Sequence, residues 1–244
     1  MIQVLHRAID ILEKVAAAGQ PINLGRLADE LGLKPGTCAN IVKTLVERGF
    51  LKKSEQQKGY LLGAQLLKLA GPMRLKSQLQ QVSDDILLSI VDSINENCLV
   101  AILFQENRLI VNHKTSGHKV QAVTSDQKSA YDSSTGRLLL AFMEQADRRQ
   151  FVYDYGLPGS ETWPQARSEA ELYSLLNDIR EQGYVIIEDS VQIVGFAAPV
   201  FQDGKIIAAL SIYVPAFRFD KALREKMLEK GLKSAESMSK RLSL

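Results

Sequence analysis

The sequence predicts an α+β protein in two modules, a small N-terminal one of helices followed by a β-hairpin and a larger one built on an antiparallel sheet. Three observations carry this. Residues 24–31 and 38–46 bear apolar stripes at i, i+3, i+4, i+7 spacing and are separated by little more than a glycine and a proline. Residues 64–97 return to a helical period. From Cys98 onward, short apolar runs joined by tight turns dominate, interleaved with helices as hairpins rather than βαβ repeats.

Residues 4–18 read as a first helix, with Val4, Ala8, Ile11, Leu12 and Val15 inward and Gly19 as its left-handed stop. Asn23 caps a second helix, whose Leu24, Leu27, Ala28 and Leu31 face inward and which Gly32 ends. Pro35 suits the first turn of a third helix over 34–48, because its missing N–H is not needed there. Two helices joined so tightly must cross steeply, the signature of a helix-turn-helix. The third helix buries Cys38, Ile41, Val42, Leu45 and Val46, and turns Thr37, Asn40, Lys43, Thr44 and Glu47 away from that face. After Gly49, "FLKKSEQQKGYLL" reads as a hairpin from which Lys52, Lys53 and Lys58 project, a cationic wing.

Within 64–97, Gly71-Pro72 is expected to break the helix, either as a hinge between the modules or simply as the end of one helix. Strands are expected at 98–105, 108–115 and 119–125, with turns at Glu106-Asn107 and Ser116-Gly117. A helix is expected at 134–150, then a loop holding Pro158, Gly159 and Trp163, then a helix at 168–182 that Ser168 can cap. Strands return at 184–189, 195–202 and 205–214 around Asp203-Gly204, before a terminal helix at 220–241. The expected domains are 1–63, a linker helix at 64–80, and 81–244.

Charge divides along the same line. Residues 1–80 hold 12 Lys and Arg against 6 Asp and Glu, whereas the remainder holds 18 against 22, so one end is basic and the other mildly acidic. A basic module of this kind is the footprint of a phosphate-binding surface. No stretch is apolar enough to span a membrane, and the charges Arg7, Asp10, Glu13 and Lys14 sit where a secretory signal needs an apolar core, so a cytoplasmic protein with no membrane partner is expected. Cys38 and Cys98 are too few and too far apart for a disulfide framework or a zinc site.

The second module offers little catalytic chemistry. His113 and His118 form a weak ligand pair without a third histidine nearby, so neither a metal nor a cofactor is expected. Asp132, Ser133 and Ser134 precede a helix and are first explained as caps; no G-x-S-x-G, phosphate-binding glycine loop or H-E-x-x-H motif supports an enzyme. A sensor fits better. Free N–H groups at a helix starting near Ser133 favour a small carboxylate, and hydroxyls at Ser133, Ser134, Ser211 and Tyr213 can orient it. Ile193, Phe196 and Ile212 are candidate apolar walls, but alternation places Ser211 and Tyr213 on one strand face and Ile212 on the other; the Ser211-Tyr213 face is the expected lining.

Four stretches resemble the IclR family of bacterial transcriptional regulators: "LHRAIDILE" at 5–13, "LADELGLKPGTCANIVKTLVERGFL" at 27–51, "LNDIREQGYVIIED" at 176–189 and "GFAAPVFQDGKIIAALSIYVP" at 195–215. The resemblance implies a winged helix-turn-helix, a linker helix and a GAF-like α/β effector-binding domain with an antiparallel sheet. It implies double-stranded operator DNA, a small-molecule effector and self-association, as a homodimer or a dimer of dimers, as partners. The DNA-binding set is then Lys34, Gly36, Thr37, Ala39, Asn40, Lys43, Thr44, Lys52, Lys53 and Lys58; the effector-binding set is Ser133, Ser134, Gly136, Asp189, Gly195, Ser211 and Tyr213. The chain departs from the family in carrying Asn40 where Arg is common, Gly36 where Ser is common, and Val194-Gly195-Phe196 and Tyr213 in the effector region, which points to altered base preference and a reshaped pocket. The alternative is a winged-helix protein whose C-terminal domain is an oligomerisation or catalytic module without effector control.

Overall fold

A computed structural model describes residues 2–54 and 58–243, with the side chains of 67–73 outside the described set. The chain divides into two compact units, Met1–Leu75 and Lys76–Leu244. The first contains α1 (Gln3–Ala18), α2 (Leu24–Glu30), α3 (Pro35–Glu47) and the hairpin β1 (Leu51–Lys53) and β2 (Tyr60–Leu62). Its core is Ile11, Val15, Ile22, Leu27, Ala28, Cys38, Ile41, Val42 and Leu51. Asn23 caps α2 by accepting the Arg26 N–H at 2.9 Å, and Pro35 opens α3. Leu51 pairs with Leu62, and a bridge from Ile22 to Tyr60 ties the hairpin to the segment before α2. The expected hairpin tip, 55–57, lies outside the described residues. Val4 is a correction: it is 54% exposed, because the α1 stripe meets the core only from Ala8 onward.

α4 (Ala64–Ile94) corrects a second expectation, since it runs as one helix through Gly71-Pro72. A proline withdraws one helical hydrogen bond, and when the turns on both sides hold theirs the helix continues.

The second unit is a six-stranded sheet, wholly antiparallel, made of β3 (Asn97–Phe104), β4 (Asn107–Lys114), β5 (Gln127–Ser129), β6 (Val185–Glu188), β7 (Ile193–Gln202) and β8 (Lys205–Pro215) in the order β5-β4-β3-β8-β7-β6. The central strands alternate apolar residues on both faces because both are covered. On one face Gly231 of α8 (Lys221–Leu242) packs directly on Phe196; on the other, Gly195 faces Ser134 of α5 (Ser134–Phe142). Phe196 and Gly195 are neighbours in β7, so α8 and α5 lie on opposite faces. α6 (Gln145–Tyr155) and α7 (Glu169–Gln182) complete the α5 side, around a core that includes Leu138, Phe151, Trp163, Leu172 and Leu176.

Three expectations shift. Residues 119–125 form no strand: their carbonyls are taken by side chains, Val120 O by Arg218 at 2.9 Å, Ala122 O by Asn97 at 2.8 Å and Ser125 O by Arg108 at 2.7 Å, and the short Gln127–Ser129 pairs with β4 instead. The helix expected at 134–150 is two, because Met143 and Glu144 are extended and α6 starts afresh at Gln145. The β3–β4 turn is Gln105-Glu106, one residue earlier than expected, with Gln105 at φ 54° and Phe104 paired to Asn107.

Candidate functional site

In the first unit, α3 presents Lys34, Gly36, Asn40, Lys43 and Thr44 exposed, while Thr37 and Ala39 are half-buried. The side-chain amide of Asn40 makes no hydrogen bond among the described residues and is free to face outward, whereas the Thr44 hydroxyl turns back to the Asn40 backbone carbonyl at 3.0 Å. Lys43 reaches Glu47 at 3.9 Å, an exposed pair that holds it only weakly. Lys52, Lys53 and Lys58 are all exposed, but Lys52 and Lys53 are neighbours in β1 and project to opposite faces of the hairpin.

In the second unit a small cavity, whose empty space together with its open mouth is about 370 Å³, lies between the sheet and the N-terminus of α5. Its lining brings together Ser133, Ser134, Asp189, Gly195, Ser211 and Tyr213 from the sequence-derived set. Gly136 does not line it: a Cβ there would lie 2.2 Å from the Ala130 carbonyl, so its small size serves the packing of α5 on the 3-10 turn Ala130–Asp132. Ile193 lines the cavity, but Phe196 and Ile212 are fully buried and fall outside the lining. Gly195 makes room, since a Cβ there would come 2.6 Å from the Ser134 hydroxyl.

The Ser133 hydroxyl is spent as the cap of α5, accepting the Gly136 N–H at 3.1 Å and donating to the Ser129 carbonyl at 3.3 Å. By contrast, Ser134, Thr135 and Ser211 are all more than nine-tenths buried, and their hydroxyls have no hydrogen-bond partner among the described residues. Burial pushes the Tyr213 phenol up to about 12, so it is a neutral hydroxyl at physiological pH. Asp189 is fully engaged: one oxygen accepts the N–H groups of Val191 and Ile193 at 3.1 and 2.9 Å, and the other takes Lys128 at 2.7 Å.

Sequence reasoning missed Arg108, Thr124, Lys128 and Thr135, together with the apolar Leu99 and Ile187. A signal existed for Arg108, which alternates with Ile110 along β4 and therefore shares its inward face. None existed for Thr124, which lies in a segment without regular structure. Among the described residues no group of three or more His, Cys, Asp or Glu could hold a metal, and no helix is long and apolar enough to cross a membrane. Cys98, buried and pushed up to about 12, is no nucleophile.

The first unit has the architecture of a winged helix-turn-helix and the second that of an α/β domain whose cavity sits at a helix N-terminus, a class of fold that does not by itself assign a function. Comparison with known proteins fixes the family. The model for the bacterial transcriptional regulator IclR C-terminal domain matches residues 75–240, and that for the IclR helix-turn-helix domain matches residues 4–55. The chain therefore belongs to the IclR family of transcriptional regulators. It is 32% identical over 164 residues to the glycerol operon regulatory protein of Streptomyces coelicolor, a match spanning 62% of this chain and 63% of that protein. Its fold is that of the Thermotoga maritima IclR structure, with a TM-score of 0.62 at 18% identity over the whole of both chains. It also resembles an IclR homolog complexed with 4-hydroxybenzoate from Microbacterium hydrocarbonoxydans, with a TM-score of 0.58 at 22% identity over 98% of this chain and 99% of that one.

Proposed function

We propose that this regulator binds operator DNA through α3 and the β1–β2 wing and changes its affinity when a small carboxylate or aromatic acid enters the cavity beneath α5. The observation that carries the sensor half is the set of three buried, unpartnered hydroxyls, Ser134, Thr135 and Ser211, around one cavity. Hydroxyls that face a cavity without a protein partner are free to donate to or accept from a ligand, and a few such polar groups fix its orientation. The complex of a family relative with 4-hydroxybenzoate supports an aromatic acid as one member of the class.

A thermal-shift panel of small carboxylates and aromatic acids tests the reading, because a ligand that binds only the folded state raises the melting temperature. A compound that does so must alter operator affinity, and the operator must alter its affinity by the same factor. A bound compound with no effect on operator binding removes the sensor role.

In the DNA-binding half, Lys34, Lys43, Lys52, Lys53 and Lys58 hold phosphates, and Gly36, Thr37, Ala39, Asn40 and Thr44 form the surface that approaches the bases. Lys52→Ala is expected to weaken binding to every DNA sequence and to lower the salt slope by about 1, as one phosphate contact is lost. Asn40→Ala acts instead on particular base pairs. Equal effects of the two substitutions across an operator mutation series and a salt titration contradict these roles. One recognition helix reads too few base pairs for genomic specificity, so the chain acts as a dimer or a dimer of dimers. Ile2, Val4, Leu5 and Ile9, exposed along α1 and the residue before it, supply apolar surface for that association. A monomer in sedimentation at micromolar concentration, with and without DNA, excludes it.

A further inference from the structure

We propose that Arg108 is the residue by which the cavity selects an anion: its guanidinium is the cation that a ligand carboxylate or comparable anionic group meets, and neutral analogues of the same shape are rejected for want of that charge. The inference rests on the sensor reading and names the group that sets its specificity.

Arg108 lines the cavity and is 2% exposed. Its hydrogen bonds go to neutral acceptors, the Ser125 carbonyl at 2.7 Å and the Thr124 hydroxyl. Among the described residues no carboxylate lies within 4.0 Å of it. A guanidinium keeps its proton even when buried, so this is a desolvated charge without a counter-ion. Burial lowers its pKa, while Tyr213, Asp126 and Asp189 act in the opposite direction from a distance.

The other charges around the cavity are already matched. Lys128 lies between Asp189 at 2.7 Å and Asp132 at 3.1 Å, which leaves it with carboxylates on two sides and nothing to offer an incoming anion. Asp189 in turn has both oxygens occupied by Lys128 and by backbone N–H groups. Arg108 is therefore the cation in the lining with no carboxylate of its own. The remaining polar elements suit the same ligand: the first-turn N–H groups of Ser134 and Thr135 have no intrahelical acceptor, and the helix end carries partial positive charge. The free hydroxyls of Ser134, Thr135 and Ser211 can donate to an anion or accept from the rest of the ligand. Leu99, Ile187 and Ile193 give the ligand body an apolar wall.

The test compares acids with their uncharged amides on the full-length protein: pyruvate against pyruvamide and benzoate against benzamide, by calorimetry on wild type, Arg108→Gln and Arg108→Lys. Gln can still donate to the Ser125 carbonyl, so the melting temperature of the unliganded protein reports whether the fold is kept. Wild type is expected to bind at least one acid and to reject its amide. Arg108→Gln should lose about 30-fold or more in affinity for that acid, the range for truncating one side of a buried charge pair, and bind acid and amide alike. Arg108→Lys should recover part of the loss, because it restores the charge without the fork. An acid that binds wild type and Arg108→Gln equally, or an amide that binds wild type as well as its acid, overturns the role of Arg108 and leaves the sensor standing. If neither acids nor amides bind wild type, the sensor reading falls and takes this inference with it.

Discussion

Replacing Gly136 by Ala is expected to destabilise the C-terminal domain by about 3 kcal/mol or more, at the upper end for overpacking a buried site. The reason is geometric. A Cβ at Gly136 would sit 2.2 Å from the carbonyl oxygen and 2.4 Å from the Cα of Ala130, both backbone atoms that no rotamer change can move. The N-terminus of α5 must then lift away from the 3-10 turn, and with it Ser133, Ser134 and Thr135, three residues of the cavity lining. Urea unfolding of the full-length protein followed by circular dichroism measures the loss. Gly159→Ala is the control, since its Cβ would meet only the Thr162 hydroxyl oxygen at 3.8 Å, and a change within about 0.5 kcal/mol is expected. Equal midpoints for Gly136→Ala and wild type would mean that α5 does not rest on Ala130.

The second large effect concerns Glu96, a buried carboxylate 3% exposed immediately before β3. Arg218 grips it with two parallel donors, Nε to one oxygen at 2.8 Å and Nη2 to the other at 3.0 Å, and its Nη1 reaches the Val120 carbonyl at 2.9 Å. Arg218→Ala removes all three bonds and leaves the carboxylate with only His118, at 3.5 Å. Breaking one side of a buried pair costs about 3–5 kcal/mol, because the charge left behind is uncompensated. Arg218→Lys should lie in between, holding the charge but not the bidentate geometry. The same urea experiment reads both variants. A loss for Arg218→Ala below about 1 kcal/mol would place the pair among exposed ones, against its burial. The loop 119–126 should also loosen, since Arg218 and Asn97 hold its carbonyls, and amide exchange across that loop reports it.

Local rules account for much of what the chain already declared before folding was considered. The helix-turn-helix was legible because its signals are near in sequence: Asn23 as cap, Gly32 as stop, Pro35 as first turn and two apolar stripes at helical spacing. The hydroxyls at 134 and 211 were legible because one follows a cap and the other sits in a strand of clear alternation. Gly136 was misjudged for a related reason: a glycine beside a candidate site looks the same in sequence whether it admits a ligand or another stretch of backbone, and only the 2.2 Å approach of Ala130 separates the two. Gly71-Pro72 misled in the opposite sense, since α4 runs through it as one helix where the local pattern signals a break.

The sequence by itself determined the order of elements, the basic character of the first module and the outward polar face of α3, because caps, stops, periodicity and charge act over a few residues. Tertiary structure alone decided the cavity. Its walls come from all six strands of the sheet, the N-terminus of α5 and the irregular segment around Thr124, and which side chains meet there depends on strand order and register. A shift between Val100 and Ala101 sets Arg108 opposite Leu103 rather than one place along, and in a strand a one-residue slip turns every side chain to the other face. Whether Arg108 finds a carboxylate or only neutral acceptors is likewise settled by residues 16 and 17 positions away in sequence, Thr124 and Ser125, that no local pattern brings to it.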